Sequence, residues 1–316
     1  MKKIALIFGG PSGEHEVSVN SAENIAGNLD LSKYEVHKIF VSKDKKFQFL
    51  PDDKKLVLPE AIPKIYSLEF NVAIIAIHGE FGEDGQLQAI LDSIDLPYVG
   101  SDMTASAAAM DKNISNILFE KADLNVPSYI VFSNKEISDL RYPIVIKPVR
   151  GGSSVGTVIL KDQAGLSKAL EEGFRYDDRL MAQEYVFGRE LTCGVLENEK
   201  GESFALPPTE IIPQKEPFFN YSAKYTPGGS REITPPDLPD QQIEELQGLA
   251  LKAHNILGCK GISRSDFILS GNKWYILETN TIPGMTKTSL IPQEANAAGI
   301  NMSKLTDILI QSALNK

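Results

Sequence analysis

The sequence predicts an α/β protein that opens with a parallel sheet and passes into α+β units toward its centre and C-terminus. Three observations predict it. Up to about Gly100, apolar runs of strand length alternate with helical spacing, as in a parallel sheet covered on both faces. Two of those strands end in glycine-rich turns. After Pro127 strands dominate, and two of them flank a third glycine-rich segment, a loop.

Taken in order, residues 4–8 form an apolar strand, and 17–29 a helix opened by Ser12 and Glu14. Residues 35–41 and 72–77 are the next strands. The turns GGPSGE (residues 9–14) and HGEFGEDG (78–85) follow the first and third strands. Ligands of open α/β sheets collect at the carboxyl ends of strands, so both are binding candidates. A second region starts near Ser101, where 101–124 reads as helix with Asp111 and Lys112 inside it. Residues 142–147, a loop at 151–156, and 157–160 read as strand, loop, strand; a helix near 163–173 and a strand near 180–186 complete that unit. Residues 207–239 are rich in Pro, Gly and aromatics with little periodicity, which marks a functional loop. Asp240 is placed to cap a helix over 241–257 that Gly258 ends, and a last amphipathic helix runs near 302–314. These shifts divide the chain into units at 1–100, 101–186 and 187–316.

Composition narrows the function. At 316 residues the chain can bury substantial cores, and its net charge of −10, with no basic block, argues against nucleic acid as a partner. The apolar stretch near the N-terminus ends after residue 8, too short for a signal peptide or a membrane span, and no later run qualifies. Cys193 and Cys259 lack Cys or His companions at metal-binding spacing and read as reduced core residues of a cytoplasmic protein.

The strongest chemical signal lies in residues 263–288, SRSDFILSGNKWYILETNTIPGMTKT, read as a β-hairpin turning at Ser270-Gly271-Asn272. A period of two puts Arg264 and Asp266 on one face of their strand, and Glu278 and Asn280 on one face of theirs. Two carboxylates and an amide without His or Cys suit a hard cation such as Mg²⁺ that shares its shell with phosphate. The bland reading, a surface hairpin with solvated charges, conflicts with the apolar runs 267–269 and 274–277. The loop after Lys147 is not a Walker A loop, because its lysine precedes the glycines and a strand follows. It reads as a flap of backbone N–H groups and the hydroxyls of Ser153 and Ser154 over phosphates, with Lys147 and Lys112 nearby. The first turn lacks GxGxxG, which argues against dinucleotide binding. Its N–H groups suit an anion, while Glu14 or Glu16 suits an ammonium or simply offsets a helix dipole. His78 is either a structural histidine or a substrate contact.

Six segments in order, GGPSGEHEVS (9–18), HGEFGEDG (78–85), MDK (110–112), KPVRGGSSVG (147–156), YSAKY (221–225) and ETNTIPGMT (278–286), resemble the D-alanine–D-alanine ligases of the ATP-grasp superfamily. The resemblance implies an ATP-grasp fold preceded by a parallel-sheet domain. It implies ATP-dependent joining of two D-alanine molecules through an acyl phosphate, giving ADP and phosphate, for peptidoglycan precursor synthesis. By similarity Asp266, Glu278 and Asn280 hold two Mg²⁺ ions, with Mn²⁺ as a substitute, and Lys112, Lys147, Ser153 and Ser154 contact the ATP phosphates. Glu184, Tyr185, Val186 and Glu190 fit the adenine and ribose segment. Arg264 and the Gly284 N–H stabilise the transferring group and oxyanion; Glu14 takes the first ammonium with His78 beside it, and Ser289 takes the second carboxylate. Ser153 and Tyr225, flanked by Lys224, link to Glu14 when the site closes, and the SAKY sequence favours D-alanine over D-lactate as acceptor. A homodimer through the first domain is a further implication. A nucleotide-binding regulator without turnover is the alternative from another class.

Overall fold

The computed structural model describes residues 1–134, 137, 140–153, 155–214 and 229–315. The predicted Ser154, Lys224 and Tyr225 contacts lie outside the described residues.

The first sheet has β1 (Lys2–Gly9) between β2 (Tyr34–Val41) and β5 (Val72–Ile75), all parallel, with β3 (Phe47–Phe49) and β4 (Lys55–Leu56) added antiparallel at the β2 edge. Both faces of β1 are filled by Ile4 through Ile7, none exposed, which is why this strand reads as an unbroken apolar run. Helix α1 (His15–Asn28) carries the chain from β1 to β2, and α2 (Leu58–Ser67) helps return it to β5 on the other side of β1. The strand order therefore reverses at β1. The two predicted glycine-rich turns sit side by side there, tied by the Ser12 hydroxyl, which donates to the His78 carbonyl at 2.6 Å.

A four-stranded antiparallel sheet follows in the order β6 (Tyr129–Phe132), β9 (Leu180–Glu184), β7 (Ile144–Pro148), β8 (Val158–Leu160), with α6 (Leu166–Gly173) packed against it. The largest sheet runs β13 (Ser230–Ile233), β12 (Thr209–Pro213), β10 (Arg189–Glu197), β14 (Ile262–Ser270), β15 (Lys273–Asn280), with β11 (Ser203–Ala205) on the far end of β10. Helices α4 (Met103–Met110), α5 (Lys112–Lys121) and α7 (Asp240–Leu257) supply Ala109, Phe119, Leu246 and Ala250 to its core with Phe267 and Trp274. After α3 (Gln86–Asp92), the last helices, α8 (Leu290–Ala297) and α9 (Met302–Leu314), return to the first sheet, where Ile291, Leu305 and Leu309 join Ile4 and Leu6.

Several boundaries differ from expectation. The helix expected over 101–124 is two helices, because Asp111 is extended (φ −85°, ψ 104°) and its carboxylate accepts from the N–H groups of Asn113 and Ile114 as the cap of α5. Asp240 is the first helical residue of α7; Pro239 holds the cap position, and the end at left-handed Gly258 (φ +72°) is as expected. The 207–239 stretch, expected as a loop, contains strands β12 and β13. The third strand ends at Ile75, short of Ile77.

Candidate active site

The two antiparallel sheets enclose a cavity of about 370 Å³. Val145 and Ile159 face it from the smaller sheet, Ile268 and Leu277 from the larger, and Glu184, Tyr185, Val186 and Glu190 line the connection between them. One end is charged. Lys147 projects from β7 with 9% of its surface exposed; burial, helped by Lys112 and opposed by Glu278, pushes its amine down to about 8. Lys112 opens α5, its backbone N–H donates to the Val149 carbonyl at 3.0 Å, and its Nζ donates to the Gly151 carbonyl at 2.7 Å and lies 3.7 Å from Glu278 Oε2. The base of the glycine-rich loop is fixed by charge: Arg150 donates its backbone N–H (2.6 Å) and its guanidinium (2.7 Å) to Asp177, and Arg179 pairs with Asp111.

The hairpin does what its alternation predicts, with one addition. Arg264 lies opposite Asn280 and Asp266 opposite Glu278, so all four share a face; Gly271, at φ +60°, serves the turn. Strict alternation would also put Trp274 and Ile276 on that face. A register shift between Asp266 and Phe267 prevents this: Phe267 pairs with Ile276, leaving Leu277 as the extra residue. Trp274 and Ile276 thereby turn into the core, while Leu277 and Glu278 both line the cavity. Arg264 donates from Nε and Nη2 to the two oxygens of Asp266, each at 3.1 Å, and the Thr192 hydroxyl donates to the same carboxylate at 2.7 Å. Burial disfavours the Arg264 charge, but Asp266 more than compensates and raises its pKa.

These residues fit a magnesium-type site. No cluster of three His, Cys, Asp or Glu side chains among the described residues could hold a metal alone. Mg²⁺ asks for less: one or two carboxylates plus substrate phosphates. Asp266 and Glu278 could supply the carboxylates, and Asn280 carries an amide whose Nδ2 is buried without a hydrogen-bond partner among the described residues.

A smaller cavity, about 90 Å³, adjoins the first, with Gly152 lining both. It gathers Glu14, His78, Ser153, Arg264, Gly284 and Ser289. Glu14 stands at the start of α1 and accepts a hydrogen bond from the Ser153 hydroxyl, so the loop reaches across to the first sheet. His78 is held by the Ile282 carbonyl at Nδ1 (2.8 Å) and by Ser21 Oγ at Nε2 (3.1 Å), with Glu83 at 3.9 Å. Burial lowers its pKa, but Glu83, Glu14 and the Ile282 carbonyl reverse this and the net direction is up. Ser289 precedes α8, its Oγ accepting from the Thr286 N–H at 3.0 Å; a Cβ on Gly284 would come within 2.8 Å of that oxygen. The helix N-terminus beside it suits a carboxylate.

Sequence reading missed four polar residues here. Glu83 braces His78, and Thr192 braces Asp266. Glu294 is wholly buried, accepts the Gly194 N–H at 2.7 Å, and is pushed up to about 8 by burial against that hydrogen bond and Arg264. Glu232 lines the smaller cavity from β13. Glu83 lies within the HGEFGEDG turn but carries no separate signal there; the other three fall in no motif, and Glu294 is simply the one carboxylate of α8, between Gln293 and Asn296.

A parallel-sheet unit followed by two antiparallel sheets that clasp a nucleotide-sized cavity, with two lysines at one end, defines the ATP-grasp architecture. Family models agree: the D-ala D-ala ligase N-terminus matches residues 3–65 and 49–101, and the D-ala D-ala ligase C-terminus residues 118–311. A D-alanine–D-alanine ligase of Leptospira biflexa is 41% identical, with 99% of each chain covered. Among solved structures, the VanG D-Ala:D-Ser ligase of Enterococcus faecalis has a TM-score of 0.84 at 30% identity, covering 98% of each chain. The Bacillus anthracis D-alanine–D-alanine ligase complexed with ATP has a TM-score of 0.80 at 31% identity, covering 99% of this chain and 98% of its own. The chain belongs to the D-alanine–D-alanine ligase family.

Proposed function

We infer that this protein joins two D-alanine molecules with ATP to give D-alanyl-D-alanine, ADP and phosphate, the dipeptide serving peptidoglycan precursor synthesis. The observation that carries this reading is the meeting of two cavities, a larger one of nucleotide size and a smaller one of amino-acid size, at Gly152, with Asp266 in the wall of the larger and its partner Arg264 in the wall of the smaller. Lys112 and Lys147 face the phosphates from one end, with the loop at Ser153 and Ser154 closing over them, and Tyr185 and Val186 flank the base while Glu184 and Glu190 take its polar groups and the ribose. Asp266, Glu278 and Asn280 would hold Mg²⁺, whose charge, like that of Mn²⁺ in its place, would offset the negative charge of the transferred phosphoryl group.

Glu14 receives the first D-alanine ammonium beside His78, leaving its carboxylate aimed at the γ-phosphate. Carboxylate attack gives an acyl phosphate and ADP; the second D-alanine, its carboxylate at Ser289 and the start of α8, attacks the acyl carbon and phosphate leaves. Arg264 and the Gly284 N–H stabilise the oxyanion, the contribution that preorganised donors make most strongly in a closed site. Closure through Ser153 and Glu14, joined by Lys224 and Tyr225, keeps water from the acyl phosphate.

Three units, at 1–100, 101–186 and 187–316, supply these parts. We place its action in the cytoplasm, where ATP is available; no helix among the described residues is long and apolar enough to cross a membrane. Association as a homodimer through the first unit completes the proposal. The resemblance to a D-Ala:D-Ser ligase makes the acceptor the open term. Phosphate release with D-alanine alone, D-alanine with D-serine, and D-alanine with D-lactate decides it; dipeptide of the first kind as the dominant product is expected.

A further inference from the structure

The smaller cavity has to accommodate two amino acids, and each arrives with an ammonium group. Glu14 supplies one carboxylate from the first sheet. Glu83, a second, faces His78 at ion-pair distance, 3.9 Å. The third carboxylate in the wall is Glu232, which enters from the opposite side, on β13 of the largest sheet, where it stands across from buried Ile211. Ile211 packs on Leu290, the first residue of α8, so this face of the strand is turned toward the start of the helix that flanks Ser289. Ser230 Oγ donates to Glu232 Oε1 at 3.3 Å, a long bond that leaves acceptor capacity on the carboxylate.

We propose that Glu232 receives the ammonium of the second amino acid and accepts one of its protons before the peptide bond forms. The proposal rests on the functional reading above and adds a residue to it. An ammonium has no lone pair and cannot attack. An N–H bond therefore breaks with its electron pair left on nitrogen, and the proton moves to the Glu232 carboxylate. The amine then attacks the acyl carbon: a C–N bond forms, the C–O bond to phosphate breaks with its pair on oxygen, and the departing phosphate takes the second nitrogen proton. Burial raises the Glu232 pKa, with Ser230 and Arg264 opposing, which makes the carboxylate a better proton acceptor than an exposed one. Arg264 shares the cavity, so the group that stabilises the oxyanion also limits how far Glu232 rises. The arrangement selects an amine acceptor, since a hydroxy acid offers no ammonium to this carboxylate.

The test is steady-state kinetics of the full chain and of Glu232→Gln and Glu232→Asp, resolving the Michaelis constants for ATP and for each D-alanine, with circular dichroism to confirm folding. The expected result for Glu232→Gln is a KM for the second D-alanine at least about tenfold higher and a lower kcat, the loss of one charged contact. KM for ATP and the first D-alanine should stay within about twofold, and Glu232→Asp should recover part of the loss. Unchanged constants for the second D-alanine in Glu232→Gln overturn the proposal, as does a parallel loss in every constant in both variants, which would mark a structural role. No dipeptide from the unaltered chain overturns the functional reading itself, and the proposal with it.

Discussion

Lys147 offers a quantitative handle on the nucleotide site through pH. Burial is the main reason its amine sits near 8 instead of the usual value above 10, with Lys112 adding repulsion and Glu278 partly restoring the charge. In the free protein the amine is then about nine-tenths charged at pH 7 and about one-tenth charged at pH 9. In the proposed site the ATP phosphates meet the charged form of Lys147, so kcat/KM for ATP, which reports groups of the free enzyme, should fall about tenfold between those pH values through this residue. Stability moves the other way. The folded pKa lies below the unfolded one, the unfolded state binds more protons between about pH 8 and 10, and stability attributable to Lys147 rises across that window. Lys147→Arg keeps a permanent charge and should abolish this limb of the profile, at some cost in absolute activity because the guanidinium does not match the ammonium in size. The assay is phosphate release at saturating D-alanine with ATP varied from pH 6.5 to 9.5. An identical alkaline fall in Lys147→Arg would refute the assignment.

Other outcomes follow from the same geometry. Arg264→Lys keeps the charge but loses the paired contacts to Asp266, and kcat should drop about 100-fold with KM for ATP little changed; a drop under threefold would remove Arg264 from oxyanion stabilisation. Glu278→Gln should lower kcat sharply and raise the Mg²⁺ concentration for half-maximal rate, measured by metal titration, and an unchanged titration would count against the metal assignment. Phe119, fully buried between α5 and the largest sheet, should cost about 3–5 kcal/mol of stability as Phe119→Ala in denaturant unfolding, with ATP affinity retained in the folded fraction; a cost under 1 kcal/mol would mean the core there is not packed as described.

What the sequence made legible was local and periodic. Alternation alone placed Arg264, Asp266, Glu278 and Asn280 toward one site, and glycine spacing located the loop that carries Ser153. The register shift at Phe267 was hidden, because a bulge is a compromise between a core that needs Trp274 and Ile276 and a site that needs Glu278. The break at Asp111 was hidden for a similar reason. An Asp inside a helical pattern reads as tolerated until its cap on Asn113 and its ion pair with Arg179, 68 residues away, are seen. The short strands β3 and β4 gave too few residues to show a period, and Pro63 inside α2 reads as a helix breaker. Glu294 and Glu232 stand out only by virtue of what folding puts beside them, respectively Gly194 and the smaller cavity.

The most direct test of the account is to incubate the purified protein with ATP, Mg²⁺ and D-alanine, with L-alanine in parallel, and to identify the products by mass while measuring phosphate. D-alanyl-D-alanine and one phosphate per dipeptide are expected from the D-isomer alone. ATP binding with no dipeptide from D-alanine, alone or with D-serine or D-lactate, would contradict it and leave the two joined cavities to another carboxylate and amine.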